Sequence, residues 1–179
     1  MRQLPAQNVS RRADARRVRL LALTLCVAVA CSCASRLELD NALDTPEALA
    51  RALLDALAEN DRASLERLTL SEDEFRDLVW PELPAARPER NLPADYVWTD
   101  LHQKSRAALG RLLVRHGGRR YQLESVTFRG ESTVYATLQV KRESELFVRD
   151  AAGTVHSLRA FGSMVNRRGR YKVFSYVVD

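Results

Sequence analysis

The chain has 179 residues, 46% of them hydrophobic, with 28 Lys and Arg against 23 Asp and Glu for a formal charge of +5. That length carries one domain with a substantial core and leaves little room for two. All three cysteines, Cys26, Cys31 and Cys33, fall within the first 33 residues, so the rest of the chain excludes a disulfide framework and any cysteine-ligated metal.

At the N-terminus, six arginines (Arg2, Arg11, Arg12, Arg16, Arg17, Arg19) against Asp14 precede an uncharged run of eleven residues, Leu20 to Ala30, closed by small residues and two cysteines. This is the layout of a secretory signal. Eleven helical residues reach about 17 Å against a ~30 Å hydrocarbon core, and extending the count to Ser35 gives only about 24 Å, so no permanent span is expected. Ala28-Val29-Ala30-Cys31 resembles the lipobox of bacterial lipoproteins, in which a signal peptidase cuts before a cysteine that has received a diacylglycerol. The resemblance implies lipidation of Cys31, with small residues fitting the peptidase site and the thiol taking the lipid. The family's usual leucine three residues before the cysteine is replaced here by Ala28. Ala30-Cys31-Ser32-Cys33 offers Cys33 as an alternative register, and the plainer alternatives are an ordinary secretory signal cut near Ala34 or an uncleaved anchor. The pairs Arg11-Arg12 and Arg16-Arg17 lack the remaining residues of a twin-arginine signal. The implied location is the bacterial cell envelope, lipid-anchored on the periplasmic side of the inner or outer membrane.

Cleavage before Cys31 removes the whole positive excess, because residues 1–30 hold six arginines and one aspartate while residues 31–179 hold 22 basic and 22 acidic side chains. The pI of about 9.4 therefore does not indicate nucleic acid, which is dropped as a partner. The neutral remainder is polarised. Residues 31–100 carry 7 basic and 16 acidic side chains, and residues 101–179 carry 15 and 6. Attraction across one folded domain accounts for this. The sharper alternative is a basic face for an anionic ligand or lipid headgroup.

Residues 31–44 read as a tether and 45–179 as a single domain. Thr45-Pro46-Glu47 starts a helix with a capping hydroxyl, a proline at the first helical position and an acid in the first turn. Leu49, Ala52, Leu53, Ala56 and Leu57 form its apolar stripe, ending near Asn60. Asp61 caps a short helix, Arg62 to Leu68, and the Ser71/Glu74 spacing is a capping box for a third, Glu72 to Trp80, stopped by Pro81. Pro81 to Pro93 holds four prolines in thirteen residues and is expected to be extended, as a stiff ordered loop or an exposed recognition segment. The longest helix is expected over Ala94 to His116, stopped by Gly117-Gly118. Ala94, Val97, Trp98, Leu101, Ser105, Ala108, Leu109, Leu112 and Leu113 share one face of it. From Tyr121 the period changes to two, giving strands over Tyr121 to Arg129, Val134 to Asp150 (long and bent, or broken near Glu143-Ser144), Val155 to Val165 and Arg170 to Val178.

Candidate chemistry is sparse. His102 and His116 lie on one helix but about 21 Å apart along its axis, and His156 has no HxH or HExxH companion, so no metal site is expected. No GxSxG elbow surrounds a serine, and Gly117-Gly118 ends a helix where a phosphate loop would begin one. No cofactor is implied. Helices followed by an antiparallel meander, with the longest helix immediately before the sheet, resemble the NTF2-like (cystatin-like) cone. The expected fold class is thus α+β, N-terminal helices packed on a curved four-stranded antiparallel meander. The resemblance covers roughly Thr45 to Asp179, rests on element order, and departs from the family where the proline-rich segment replaces a short early strand. It carries no catalytic residues over. In such a cone Trp98, His102 and Ser105 would look toward the sheet with His156 on the opposite wall. They would be core polar groups satisfied locally, the lining of an apolar ligand pocket, or the site of general acid–base chemistry by His102. The functions to weigh are a lipid-anchored protein binding a partner or small apolar ligand without catalysis, an exported isomerase or hydrolase using His102, and an adaptor acting through residues 81–93.

Overall fold

The computed structural model describes residues 38–177. In chain order these form α1 (Pro46–Ala58), α2 (Arg62–Arg67), α3 (Glu72–Glu74), a π-helical turn (Phe75–Val79), three 3-10 turns (Trp80–Glu82, Pro84–Ala86, Pro88–Arg90) and α4 (Ala94–His116). Seven strands follow: β1 (Gln122–Phe128), β2 (Thr133–Val134), β3 (Leu138–Arg142), β4 (Ser144–Arg149), β5 (Val155–Leu158), β6 (Phe161–Arg167) and β7 (Arg170–Tyr176).

The first three helices begin where their capping side chains sit. Thr45 accepts from the Ala48 N–H at 3.0 Å, with Pro46 as the first helical residue. Asp61 accepts from the Ser64 N–H at 2.9 Å. Ser71 and Glu74 form the reciprocal box: the serine hydroxyl accepts from the Glu74 N–H at 3.2 Å and the carboxylate from the Ser71 N–H at 2.7 Å. Each such cap contributes about 1 kcal/mol by satisfying donors that the first helical turn leaves unpaired.

The proline-rich segment is not extended. Proline's fixed φ suits the first positions of a helical turn, while its ring drives the preceding residue to extended backbone. Leu83 (ψ 140°) and Arg87 (ψ 135°) are extended, and Pro84 and Pro88 each open a 3-10 turn. Glu82 fastens the segment to the β2–β3 turn, accepting from the Thr137 N–H at 2.9 Å and from its hydroxyl.

The strands also depart from a four-stranded meander. They form two antiparallel sheets, one ordered β1-β4-β5 and the other β2-β3-β6-β7. The expected strand Val134 to Asp150 is interrupted twice. Residues 135–137 turn the chain back, the Tyr135 N–H donating to Leu138 O at 2.8 Å, so that Val134 belongs to β2 and pairs with Gln139 of β3. The break expected near Glu143-Ser144 also occurs: Glu143, with a φ of 53°, lies in the left-handed region and cannot continue a ladder, and β3 and β4 on either side of it enter different sheets. The expected strand Val155 to Val165 divides likewise into β5 and β6. The buried Ser144 hydroxyl donates to the Phe161 carbonyl, joining the two breaks.

The four-stranded sheet is buried on both faces, because successive side chains of a strand point oppositely. Met164 and Val173 face one cluster with Leu49, Leu53 and Leu57 of α1, Leu65 of α2, and Leu109 and Leu112 of α4. Their neighbours Val165 and Lys172, paired across β6 and β7, lie on the other face. There Val165 meets Leu39, Phe75, Leu78, Val79, Leu138 and Val140. α4 serves both clusters. Val97, Trp98 and Leu101 pack on the second, and Ala108, Leu109 and Leu112 on the first.

The outer edge of β7 is covered piece by piece. Leu43 exchanges backbone hydrogen bonds with Tyr171, the Val173 N–H donates to Leu68 O at 2.9 Å, and the Leu70 N–H donates to Val173 O at 3.0 Å. The Tyr176 N–H donates to the Ser105 hydroxyl at 3.0 Å. An exposed edge would template pairing with other chains. This covering also shortens the expected tether. Leu39 and Ala42 are buried, the Asp40 N–H donates to Glu74 at 2.6 Å, and Arg170 bonds both Asp44 and the Ala42 carbonyl. The compact unit therefore starts at Leu39.

Candidate functional site

Trp98 and His102 sit one turn apart on the N-terminal half of α4, so their side chains stack. The ring centroids lie 5.1 Å apart at 28°, and Trp98 also lies 5.3 Å from Phe75. Trp98 is half-buried and His102 exposed. Ser105, three residues on, is buried, and its oxygen serves the β7 edge through the Tyr176 N–H.

Between α4 and the α2–α3 connection lies a cleft of about 40 Å³, lined by Glu66, Thr69, His102, Ser105, Arg106 and Tyr176 among others. A water molecule's share of liquid volume is about 30 Å³ and ligand pockets run to about 300 Å³ or more, so the cleft is water-sized. The Tyr176 hydroxyl donates to Leu65 O at 2.7 Å. Burial raises its pKa far above the ordinary phenol range, so it is a fixed donor and not a titrating acid.

His156 does not join this group. It lies on β5 of the other sheet, exposed, with Nε2 2.6 Å from Asp150 Oδ2. Asp150 is held below the usual carboxylate range, first by that bond and then by the backbone N–H groups of Thr154 and Ala152. This cluster closes the β4–β5 turn. Of the four residues expected around one pocket, His102 and Ser105 share the lining of the water-sized cleft and Trp98 stacks on His102, whereas His156 lies apart as the clasp of the β4–β5 turn.

His116, at the far end of α4, places Nδ1 3.0 Å from the Tyr121 hydroxyl. Burial, and then the guanidinium charges of Arg119 and Arg115, lower its pKa. Among the described residues no group of three or more His, Cys, Asp or Glu could hold a metal ion. Among the described residues, two larger hollows are open to solvent. One, of about 380 Å³ between α1 and α2, is lined by Asp55, Glu59, Asp61, Ser64 and Arg67 among others. The other, of about 300 Å³, lies at the β2–β3 turn beside Arg168.

Sequence reasoning missed the buried pair of Glu74 and Lys172. Lys172 Nζ lies 2.7 and 3.0 Å from the two carboxylate oxygens, which also accept from the Ser71 and Asp40 N–H groups. The capping-box spacing pointed to Glu74, but no local signal ties it to a lysine 98 positions away. Cys31 and Cys33, the lipidation candidates, lie outside the described residues. Compared with known proteins, the chain matches no protein family, no curated protein and no solved structure.

Proposed function

We propose that this is a lipid-anchored protein of the bacterial cell envelope, held on the periplasmic side of the membrane by a diacylglyceryl group on Cys31, with Cys33 as the alternative register. The observation that carries this reading is the stretch from Arg16 to Cys33: clustered arginines, an apolar run too short to span, and small residues ending in cysteine. Among the described residues no helix is long and apolar enough to cross a membrane. With Leu39 locked in the core, the link from Cys31 to the fold is eight residues, about 27 Å at full extension. The domain acts within that distance of the bilayer surface.

We read the helices on a bent antiparallel framework as an NTF2-like cone whose interior is filled by side chains. A water-sized cleft at His102 favours recognition of a protein partner on the surface over capture of a small apolar ligand. The adaptor reading has its own support. Residues 81–93 are fastened at Glu82 and present Pro84, Pro88 and Leu92 to solvent.

Metabolic labelling with an alkyne palmitate analogue tests the anchor. Wild type and Cys33→Ser incorporate label and Cys31→Ser does not. Label retained in both single variants and in the double variant would end the proposal.

A further inference from the structure

We propose that the proline-rich turns from Trp80 to Pro93, with Trp98 beside them, rest on the surface of the bilayer that holds the lipid anchor. The inference rests on the anchor reading and gives these turns a lipid partner in place of a protein one. The length of the tether decides which side of the domain reaches the membrane. Eight residues lead from Cys31 to Leu39, about 27 Å at full extension. A domain the size of residues 39–179 is about 37 Å across and about 58 Å around half its girth. The tether is too short to bring the far side round, so the bilayer is met by the side on which Leu39 enters the fold.

That side carries both tryptophans of the chain. Leu39 and Phe75 belong to one cluster, and Trp80, Leu83 and Trp98 pack against it as a partly buried outer layer. The Asp40 N–H donates to Glu74, and the ring of the next residue, Phe75, lies 5.9 Å from Trp80 and 5.3 Å from Trp98. Beyond Trp80 come the exposed Arg87 and Arg90, then Leu92, which is 43% exposed. Indole rings suit the boundary of a bilayer, where their faces meet acyl chains and their N–H groups meet water, and guanidinium groups beside them meet phosphate. Glu82 is occupied by Thr137, which leaves the two arginines facing Glu89 as the remaining acid of the segment. The backbone points the same way. Four of the thirteen positions from Pro81 to Pro93 are proline and have no N–H. The N–H groups of Leu83, Ala86, Arg87, Arg90 and Asn91 are bonded inside the segment. A partner strand would need free donors, whereas a stretch with few of them loses little on leaving water.

The two tryptophans report on this contact directly. The lipid-bearing protein extracted from bacterial membranes is reconstituted into phosphatidylethanolamine–phosphatidylglycerol vesicles, with or without bromine near the glycerol end of the acyl chains, and floated through a density gradient. Floating wild type is expected to lose tryptophan emission in the brominated vesicles. The triple variant Arg87→Glu, Arg90→Glu, Leu92→Asp, altered only at exposed positions, is expected to float equally and to lose most of that quenching. A reporter carrying Trp80→Phe, Trp98→Phe and Val114→Trp is expected to show none. Val114 is 88% exposed, on the opposite side of α4 from Trp98 and about 24 Å further along its axis. Floating wild type with emission indifferent to bromine would overturn the proposal, leave the anchor standing and return the segment to a protein partner. Quenching of the triple variant or of the Val114→Trp reporter equal to that of wild type would overturn it too. Protein that neither floats nor carries lipid would overturn the anchor and this inference together.

Discussion

Replacing Lys172 by Met tests how the N-terminal segment, the capping box and β7 are held together. Lys172 is 2% exposed and Glu74 5%. The substitution keeps the volume of the side chain but leaves a buried carboxylate with only the Asp40 and Ser71 N–H donors. Breaking a buried pair by removing one partner costs about 3–5 kcal/mol, because the remaining charge loses its counterion and not because the intact pair contributes that much. In a domain of this size about 1 kcal/mol shifts Tm by some 3–5 °C, so a fall of about 10–20 °C is expected. The double variant Glu74→Gln with Lys172→Met removes the stranded charge and recovers at least about 1 kcal/mol, giving a non-additive cycle. Urea denaturation of the four proteins, followed by circular dichroism, measures both quantities. A loss below about 1 kcal/mol for Lys172→Met, or a double variant no more stable than that single one, would refute the reasoning.

Further predictions concern the edge of β7 and the C-terminal end of α4. Ser105→Ala removes the acceptor for the Tyr176 N–H and is expected to cost about 1–3 kcal/mol, with faster hydrogen exchange at that amide; an unchanged exchange rate would mean the hydroxyl does not guard the edge. Gly117→Ala brings a Cβ 2.4 Å from Leu113 O and 1.9 Å from Asn60 Oδ1; a cost of about 1–3 kcal/mol is expected, and Asn60→Ala does not restore it because the backbone clash remains. His116, whose folded pKa is lowered, favours the fold in its neutral form. Its contribution is present above the ordinary histidine pKa of about 6.5 and is lost as pH falls through the lowered folded value. Stability measured in urea between pH 7.5 and 5 should therefore fall less steeply in His116→Gln than in wild type.

Signals local to the chain were legible in the sequence. Thr45, Asp61 and the Ser71/Glu74 pair mark helix starts because capping is decided within four residues, and Ala94–His116 follows from one uninterrupted stripe closed by glycine. Features decided by distant residues were not. A break near Glu143-Ser144 was one of the two readings of the alternating run, but Glu143 adopts its left-handed conformation without being Gly or Asn, so nothing local announces that the two sides of the break enter different sheets. Leu39, Ala42 and Leu43 sit among acidic residues and read as tether until the open edge of β7 and the Glu74 carboxylate are placed beside them. The proline-rich stretch misled for a different reason. Proline excludes helix interiors but not single helical turns, and Pro84 and Pro88 each start one. At the candidate site, the helical face of Trp98 and Ser105 was legible, but the expected convergence with His156 does not occur, because His156 belongs to the β1-β4-β5 sheet.

The most direct test of the central claim is the mass of the N-terminal peptide of the protein extracted from bacterial membranes. A peptide beginning at Cys31 and carrying a diacylglyceryl group is predicted. A peptide beginning at Ala34, or one retaining residues before Cys31 with both thiols unmodified, would contradict the lipid anchor.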